Sequence, residues 1–180
     1  MNLIETFQNL VAQVPELVQP LIVALAGAIP FVEGEGAVSI GIIGGIPPVI
    51  AAIAAIVGNF LCVLVVVLVS SGARQAVVNR SRARTAALAG GGTAAEPTTD
   101  DAAPDRGTAR REKFQRAFER YGVPGVSLLG PLLLPTQFTA TMLAASGIGK
   151  ARILFWQALA IIGWTTVVAV IVGSAVYAIR

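Results

Sequence analysis

The sequence predicts an all-α integral membrane protein. It is laid out as an inverted repeat, each half giving one re-entrant helical hairpin and one transmembrane helix, with amphipathic interfacial helices beside them. Three observations carry this. The 180 residues are 55% hydrophobic and only 13% charged, with a mean hydropathy of +0.76, too few polar side chains to cover a soluble domain of this size. The apolar runs 37–73 and 151–179 exceed the roughly 20 residues needed to cross hydrocarbon. Finally, two apolar blocks, 16–73 and 122–179, flank a polar one, and each opens with an interrupted apolar stretch before an uninterrupted one.

The first repeat is expected over 1–73. In MNLIETFQNLVAQVP, Leu3, Ile4, Phe7, Leu10, Val11 and Val14 recur at helical spacing. They fit either a short helix lying in the interface or a lead-in to the first membrane helix. No basic residue precedes these apolar positions and no small-residue cleavage site follows, so the stretch does not read as a secretory signal. Residues 16–46 come next, broken by Pro30, Gly34 and Gly36 in GAIPFVEGEGAV. The arms, about 14 and ten residues long, do not span a core of ~30 Å at 1.5 Å per residue. Two short helices entering and leaving on the same side satisfy that length, and proline and glycine supply the break. Pro47 and Pro48 open a transmembrane helix at about 47–73, because proline is tolerated best in a first helical turn.

Residues 74–107 are expected to be a polar, largely disordered linker. LAGGGTAAEPTTDDAAPDRGT in particular has no aromatic or β-branched cluster to bury. The second repeat, 108–180, starts with ARREKFQRAFERYG. An amphipathic helix over 108–121 would put Phe114, Ala117, Phe118 and Tyr121 on one face, with Arg110, Arg111, Lys113, Arg116 and Arg120 around the rest. Such a basic helix beside a membrane segment suits an anionic leaflet, and the membrane accounts for its charge without nucleic acid. A second hairpin follows at about 123–149, broken at Pro131 and Pro135, and a transmembrane helix at about 151–179. At an offset of 105 residues Pro30 matches Pro135, Gly44 matches Gly149 and Gly58 matches Gly163.

Composition excludes several chemistries. There is no histidine and a single cysteine, Cys62, inside GNFLCVLVVVLV. That rules out an intrachain disulfide, a Cys/His metal site and His-assisted nucleophiles, and Cys62 reads as a small packing residue. No glycine-rich phosphate motif is present. The chain is therefore read as a non-enzyme with no cofactor and no metal.

Glu33 and Glu35 are the acidic residues deep in an apolar block. A carboxylate at membrane depth must be hydrated, paired or protonated, and usually faces a pathway; it can also carry protons. A solvated turn over 30–36 is the simpler alternative. Glu35, with glycine on both sides, is expected to matter more. In the second half Thr136, Gln137, Thr139 and Thr141 either line a polar cavity opposite the glutamates or bond back to helix carbonyls.

LAGAIPFVEGEGA and PLLLPTQFTATMLAA resemble the two signature regions of the small multidrug export proteins. These bacterial and archaeal membrane proteins are distantly similar to the DedA (VTT-type) family. The resemblance covers both apolar blocks and implies two facing re-entrant hairpins, an acidic position at Glu33 or Glu35, and a role in moving lipids such as polyprenyl phosphate carriers or in drug resistance. DedA-like proteins carry arginines around the second proline motif, whereas here no arginine lies between Arg120 and Arg152. Carboxylates without a guanidinium favour a cation or proton over a phosphate.

The expected function is a small transporter, open to proton coupling, that moves a cationic or amphipathic solute through a midplane cavity. A DedA-like lipid flippase or scramblase and a non-transporting scaffold are the alternatives. Expected partners are membrane lipids and the substrate, with room for a homodimer because one chain encloses little volume. Ten Lys/Arg in 74–121, with Lys150 and Arg152, oppose Arg180 alone on the other face. The positive-inside bias puts the linker in the cytoplasm and both termini outside a prokaryotic inner membrane.

Overall fold

The computed structural model describes Thr6, residues 13–89, 122–132 and 134–179. Most of the expected N-terminal interfacial helix, linker residues 90–107 and the amphipathic helix 108–121 lie outside the described residues.

Among the described residues the chain is helical, with no strand. Two short helices, α1 (Gln19–Gly27) and α2 (Glu33–Ile43), precede the long α3 (Pro48–Ala89). The order then repeats: α4 (Gly122–Leu132, its last three residues a 3-10 turn) and α5 (Thr136–Ala145) precede the long α6 (Lys150–Ile179). Both long helices are long and apolar enough to cross a membrane.

Helix α3 does not stop near residue 73 as expected. It is 42 residues long and runs through the first part of the predicted linker to Ala89. RQAVVNRSRARTAALA contains no glycine or proline and is rich in alanine and arginine, which hold a helix without tertiary support. At 1.5 Å per residue α3 is about 63 Å long, roughly twice the hydrocarbon thickness.

The break in the first hairpin also differs from expectation at its two glycines, while the second falls at Pro131 and Pro135 as expected. In the first, the turn occupies residues 28–32, and Phe31 (φ 72°) and Glu33 (φ 52°) hold its left-handed backbone. Gly34 and Gly36 lie inside α2. Gly34 serves a close approach: a Cβ there would lie 2.1 Å from Thr165 Oγ1 of α6. In the second hairpin Pro131 sits in the 3-10 turn and Pro135 immediately precedes α5. Proline's fixed φ and missing N–H fit both positions.

The two halves end their second short helix in the same way. Gly45 (φ 94°) and Gly147 (φ 84°) take the left-handed position. Ile46 N–H bonds Gly41 O and Gly45 N–H bonds Ile42 O, as Ile148 N–H bonds Leu143 O and Gly147 N–H bonds Ala144 O. Each is a Schellman cap, which satisfies the last carbonyls of its helix. These caps relate the halves at an offset of 102 residues, and Pro48 and Lys150 start the long helices at the same offset. The 105-residue register expected from Pro30, Gly44 and Gly58 is therefore not the structural one. Gly44 corresponds to Ser146, the C-cap of α5.

Two apolar clusters hold the chain together. One joins Ile22, Val23, Ala26, Val38 and Ile40 of the first hairpin to Ala51, Ala54 and Ala55 of α3 and Ala169 of α6. The other joins Val123, Val126, Ala140 and Leu143 of the second hairpin to Val63 and Val67 of α3 and Ile153 and Ile161 of α6. The long helices therefore run antiparallel, consistent with Gly173 approaching Pro48. The first hairpin opens at the Pro48 end. The second opens at the other end, where Arg74 Nε donates to Ala145 O at 3.0 Å. Small residues let α1 cross α3 closely: a Cβ on Gly58 would stand 1.8 Å from Ala24 O, and one on Gly27 2.8 Å from Ala55 O. Packing of this type suits a medium without a hydrophobic drive between helices.

Candidate functional site

Hairpins that open at opposite ends bring their tips together in the middle. There Glu33, only 7% exposed, reaches across to the first residue of α5. Its Oε1 accepts the backbone N–H of Thr136 and the Thr136 hydroxyl, the latter at 2.6 Å. Among the described residues no side chain of the second half caps α5, since Pro135 precedes it. The carboxylate of the first half takes that place. It satisfies one of the free first-turn amides and meets the positive end of the helix dipole.

A third element completes the contact. Asn59, fully buried in α3, presents Oδ1 to Gln137 Nε2 at 3.2 Å and to Thr136 Oγ1 at 3.3 Å. Gln137 Oε1 lies 3.4 Å from the same hydroxyl. Above this group Phe31 and Phe138 meet, ring centroids 5.9 Å apart. Thr165 of α6 presses against Gly34, and its buried Oγ1 has no hydrogen-bond partner among the described residues.

Glu33, Thr136 and Gln137 are thus brought together, and all three are buried. The tips close on each other here, where an open shared cavity was expected. Thr139 and Thr141 bond back to Pro135 O (3.4 Å) and Gln137 O (2.7 Å), one turn earlier in their own segment. Of the two readings open for these threonines, back-bonding is the observed one. Glu35 is half-buried on α2, its carbonyl accepting from Ser39 Oγ at 2.8 Å; no hydrogen bond joins it to α5 among the described residues. Pro30 lies exposed in the turn.

Sequence reasoning missed Asn59, Gln157 and Thr165. All three are fully buried, and neither amide atom of Gln157 has a partner among the described residues. Their signal was present: isolated amides and a hydroxyl inside runs such as AAIVGNFLCVLVV and ILFWQALAIIG. Polar groups at that depth are costly unless they serve a purpose.

Apolar space lies beside this polar centre. A groove of about 260 Å³ between α3 and α6 is lined by Ile56, Phe60, Leu61 and Ile161 among others. A second, of about 490 Å³, lies toward Pro48 and Gly173. No known protein family matches the chain, and neither a curated protein nor a solved structure is similar to it.

Proposed function

We propose that the chain is an integral membrane transporter in which two re-entrant hairpins enter the bilayer from opposite faces and control passage of a cationic or amphipathic solute. The carrying observation is the buried carboxylate of Glu33 on the N-terminus of α5, where the hairpins touch tip to tip. Broken helices that meet near the midplane are the usual site of substrate and coupling-ion binding in inverted-repeat transporters. Neutralising Glu33 weakens its hold on Thr136, because hydrogen bonds to a charged acceptor contribute about 1.5–3 kcal/mol against about 1 for neutral ones. Separation of the tips then opens the centre. This is also the arrangement implied by the resemblance to the small multidrug export proteins. On this reading the protein lies in a prokaryotic inner membrane with the 74–121 segment in the cytoplasm.

The test is flux of a lipophilic cation in proteoliposomes under an imposed ion gradient. Native protein should carry it, and Glu33→Gln should lose most of the flux while eluting as the native species does. A DedA-like lipid flippase is the second reading. It is favoured by the grooves between α3 and α6, whose largely apolar linings suit an acyl chain. Headgroup-selective movement of labelled lipid, without cation flux, would put that reading first. A scaffold would show neither.

A further inference from the structure

We infer that water and the carried solute reach Glu33 from the Arg74 end of the bundle, by a path beneath the second hairpin lined by Asn59, Gln157, Ser127 and Ser71. The inference deepens the transporter reading and rests on it for what the path carries.

Hydrogen-bond accounting leads to it. Asn59, Ser127 and Gln157 are fully buried and Ser71 is 7% exposed. Among the described residues the Ser71 and Ser127 hydroxyls, both amide atoms of Gln157 and Nδ2 of Asn59 have no hydrogen-bond partner. An amide can be turned over, exchanging its oxygen and nitrogen, but a hydroxyl donates and accepts alike. Ser71 and Ser127 therefore have no polar group of either kind in reach, whichever way the amides point. Other hydroxyls of the bundle bond back to a carbonyl one turn earlier, as Ser39, Thr139, Thr141 and Ser146 do. Buried polar groups are otherwise paired with protein or with ordered water, and a buried water itself needs several polar partners.

Placement gives the four residues one direction. Asn59, Val63, Val67 and Ser71 recur at every fourth position of α3, and Ile153, Gln157 and Ile161 at every fourth position of α6. Val63, Val67, Ile153 and Ile161 belong to the cluster that seats the second hairpin through Val123 and Val126. Ser127 follows Val126 directly, so all four polar residues belong to this one interface. From Asn59, at the tip contact, to Ser71, three residues before Arg74, α3 rises about 18 Å. That is the way from the polar centre to the Arg74 end. The first hairpin has no counterpart. Beyond Glu33 the buried side chains of α1 and α2 are all apolar. Its backbone also lies too close for water: a Cβ on Gly27, Gly41 or Gly58 would stand 2.8, 2.9 or 1.8 Å from a neighbouring atom. Thr165, whose hydroxyl also lacks a partner among the described residues, stands at the tip against Gly34. Packing of Val63, Val67 and Leu143 closes the path here. Movement of the second hairpin away from α3 and α6 opens it, the same movement that takes Thr136 from Glu33.

The experiment uses the full chain purified in detergent, with Cys62→Ala as background and one introduced cysteine at a time. Reaction with a permanently charged trimethylammonium methanethiosulfonate is followed by intact mass. The reagent is a small cation and reacts with the thiolate, so its rate reports access of water. Ser127→Cys and Ser71→Cys should react roughly tenfold faster than Val23→Cys and Val38→Cys, which lie buried in the first hairpin. If Ser127→Cys does not fold, Val63→Cys, on the same interface, takes its place. Gln157→Met keeps the side-chain length and removes both polar atoms. It should raise the unfolding temperature and slow the Ser127→Cys reaction, whereas a merely structural glutamine would lower the first and leave the second unchanged. Ser127→Cys reacting as slowly as Val38→Cys, or Val38→Cys reacting as fast as Ser127→Cys, would overturn the inference. Fast reaction at Ser127→Cys without cation flux would sink the transporter reading and leave the water path standing; flux with slow reaction there would do the reverse.

Discussion

Glu33 caps a helix that begins 103 residues further along the chain, its Oε1 accepting both the N–H and the hydroxyl of Thr136. A cap normally comes from the residue just before the helix. Here the cap and the helix belong to different halves, so the two hairpins cannot separate without exposing a first-turn amide and a buried carboxylate together.

The first prediction follows from that contact. Thr136→Val removes the hydroxyl and keeps the shape, and should lower stability in detergent by about 1–3 kcal/mol, the range for a hydrogen bond to a charged group left without its donor. Glu35→Gln should change stability by less than about 0.5 kcal/mol, as expected of a site away from such features. The geometry moves the weight from Glu35 to Glu33. Thermal unfolding of the two variants side by side checks it, and a larger loss for Glu35→Gln would contradict the assignment.

A second prediction separates two glycines that looked equivalent in sequence. Gly58→Ala drives a methyl into Ala24 O, while a Cβ on Gly163 would meet nothing within 4 Å among the described residues outside its own helix backbone. Gly58→Ala should cost about 3 kcal/mol, the upper end of typical overpacking, because backbone must move. Gly163→Ala should be neutral or stabilising by up to about 1 kcal/mol. Expression level and unfolding temperature report both.

Arg74 supports the far end of the second hairpin. Its guanidinium bonds Ala145 O and covers Gly147, at the negative end of the α5 dipole. Arg74→Gln should cost about 0.3–1 kcal/mol, and the loss should shrink in high salt. A salt-independent loss would mean that packing, not charge, is the contribution.

Sidedness gives the fourth prediction. With Cys62→Ala as background, Ala95→Cys should be protected from an impermeant thiol reagent in intact cells, while Asn2→Cys should react. Replacing 89–104 by a Gly/Ser run should leave transport unchanged, because that stretch carries no apolar anchor. Labelling of Ala95→Cys from outside would invert the topology.

What could be read in advance was set by residues whose effect is local. The long apolar runs and the Pro135 break have local causes, so α3, α6 and the second turn were legible. The first turn was misjudged because its left-handed backbone sits at Phe31 and Glu33, residues that adopt it only when their surroundings impose it. Gly34, Gly36 and Gly58 read in sequence as flexibility or repetition, yet each answers to a neighbouring residue: Thr165, Val32 and Ala24 in turn. Glu33, Thr136 and Gln137 were legible as polar residues at breaks. Asn59 completes the site through a packing register that no local pattern encodes.

The distance along the chain between Glu33 and Thr136 also sets a clock. At the usual 5–20 residues per second of synthesis, the carboxylate emerges roughly 5–20 s before the amide that will bury it. Helix α3 ends at Ala89, 56 residues after Glu33, so for the later part of that interval the first hairpin and α3 are already made while Glu33 still lacks the Thr136 amide. The first hairpin can complete its packing only when the second arrives, so the nascent first half waits, incomplete, for its own other end.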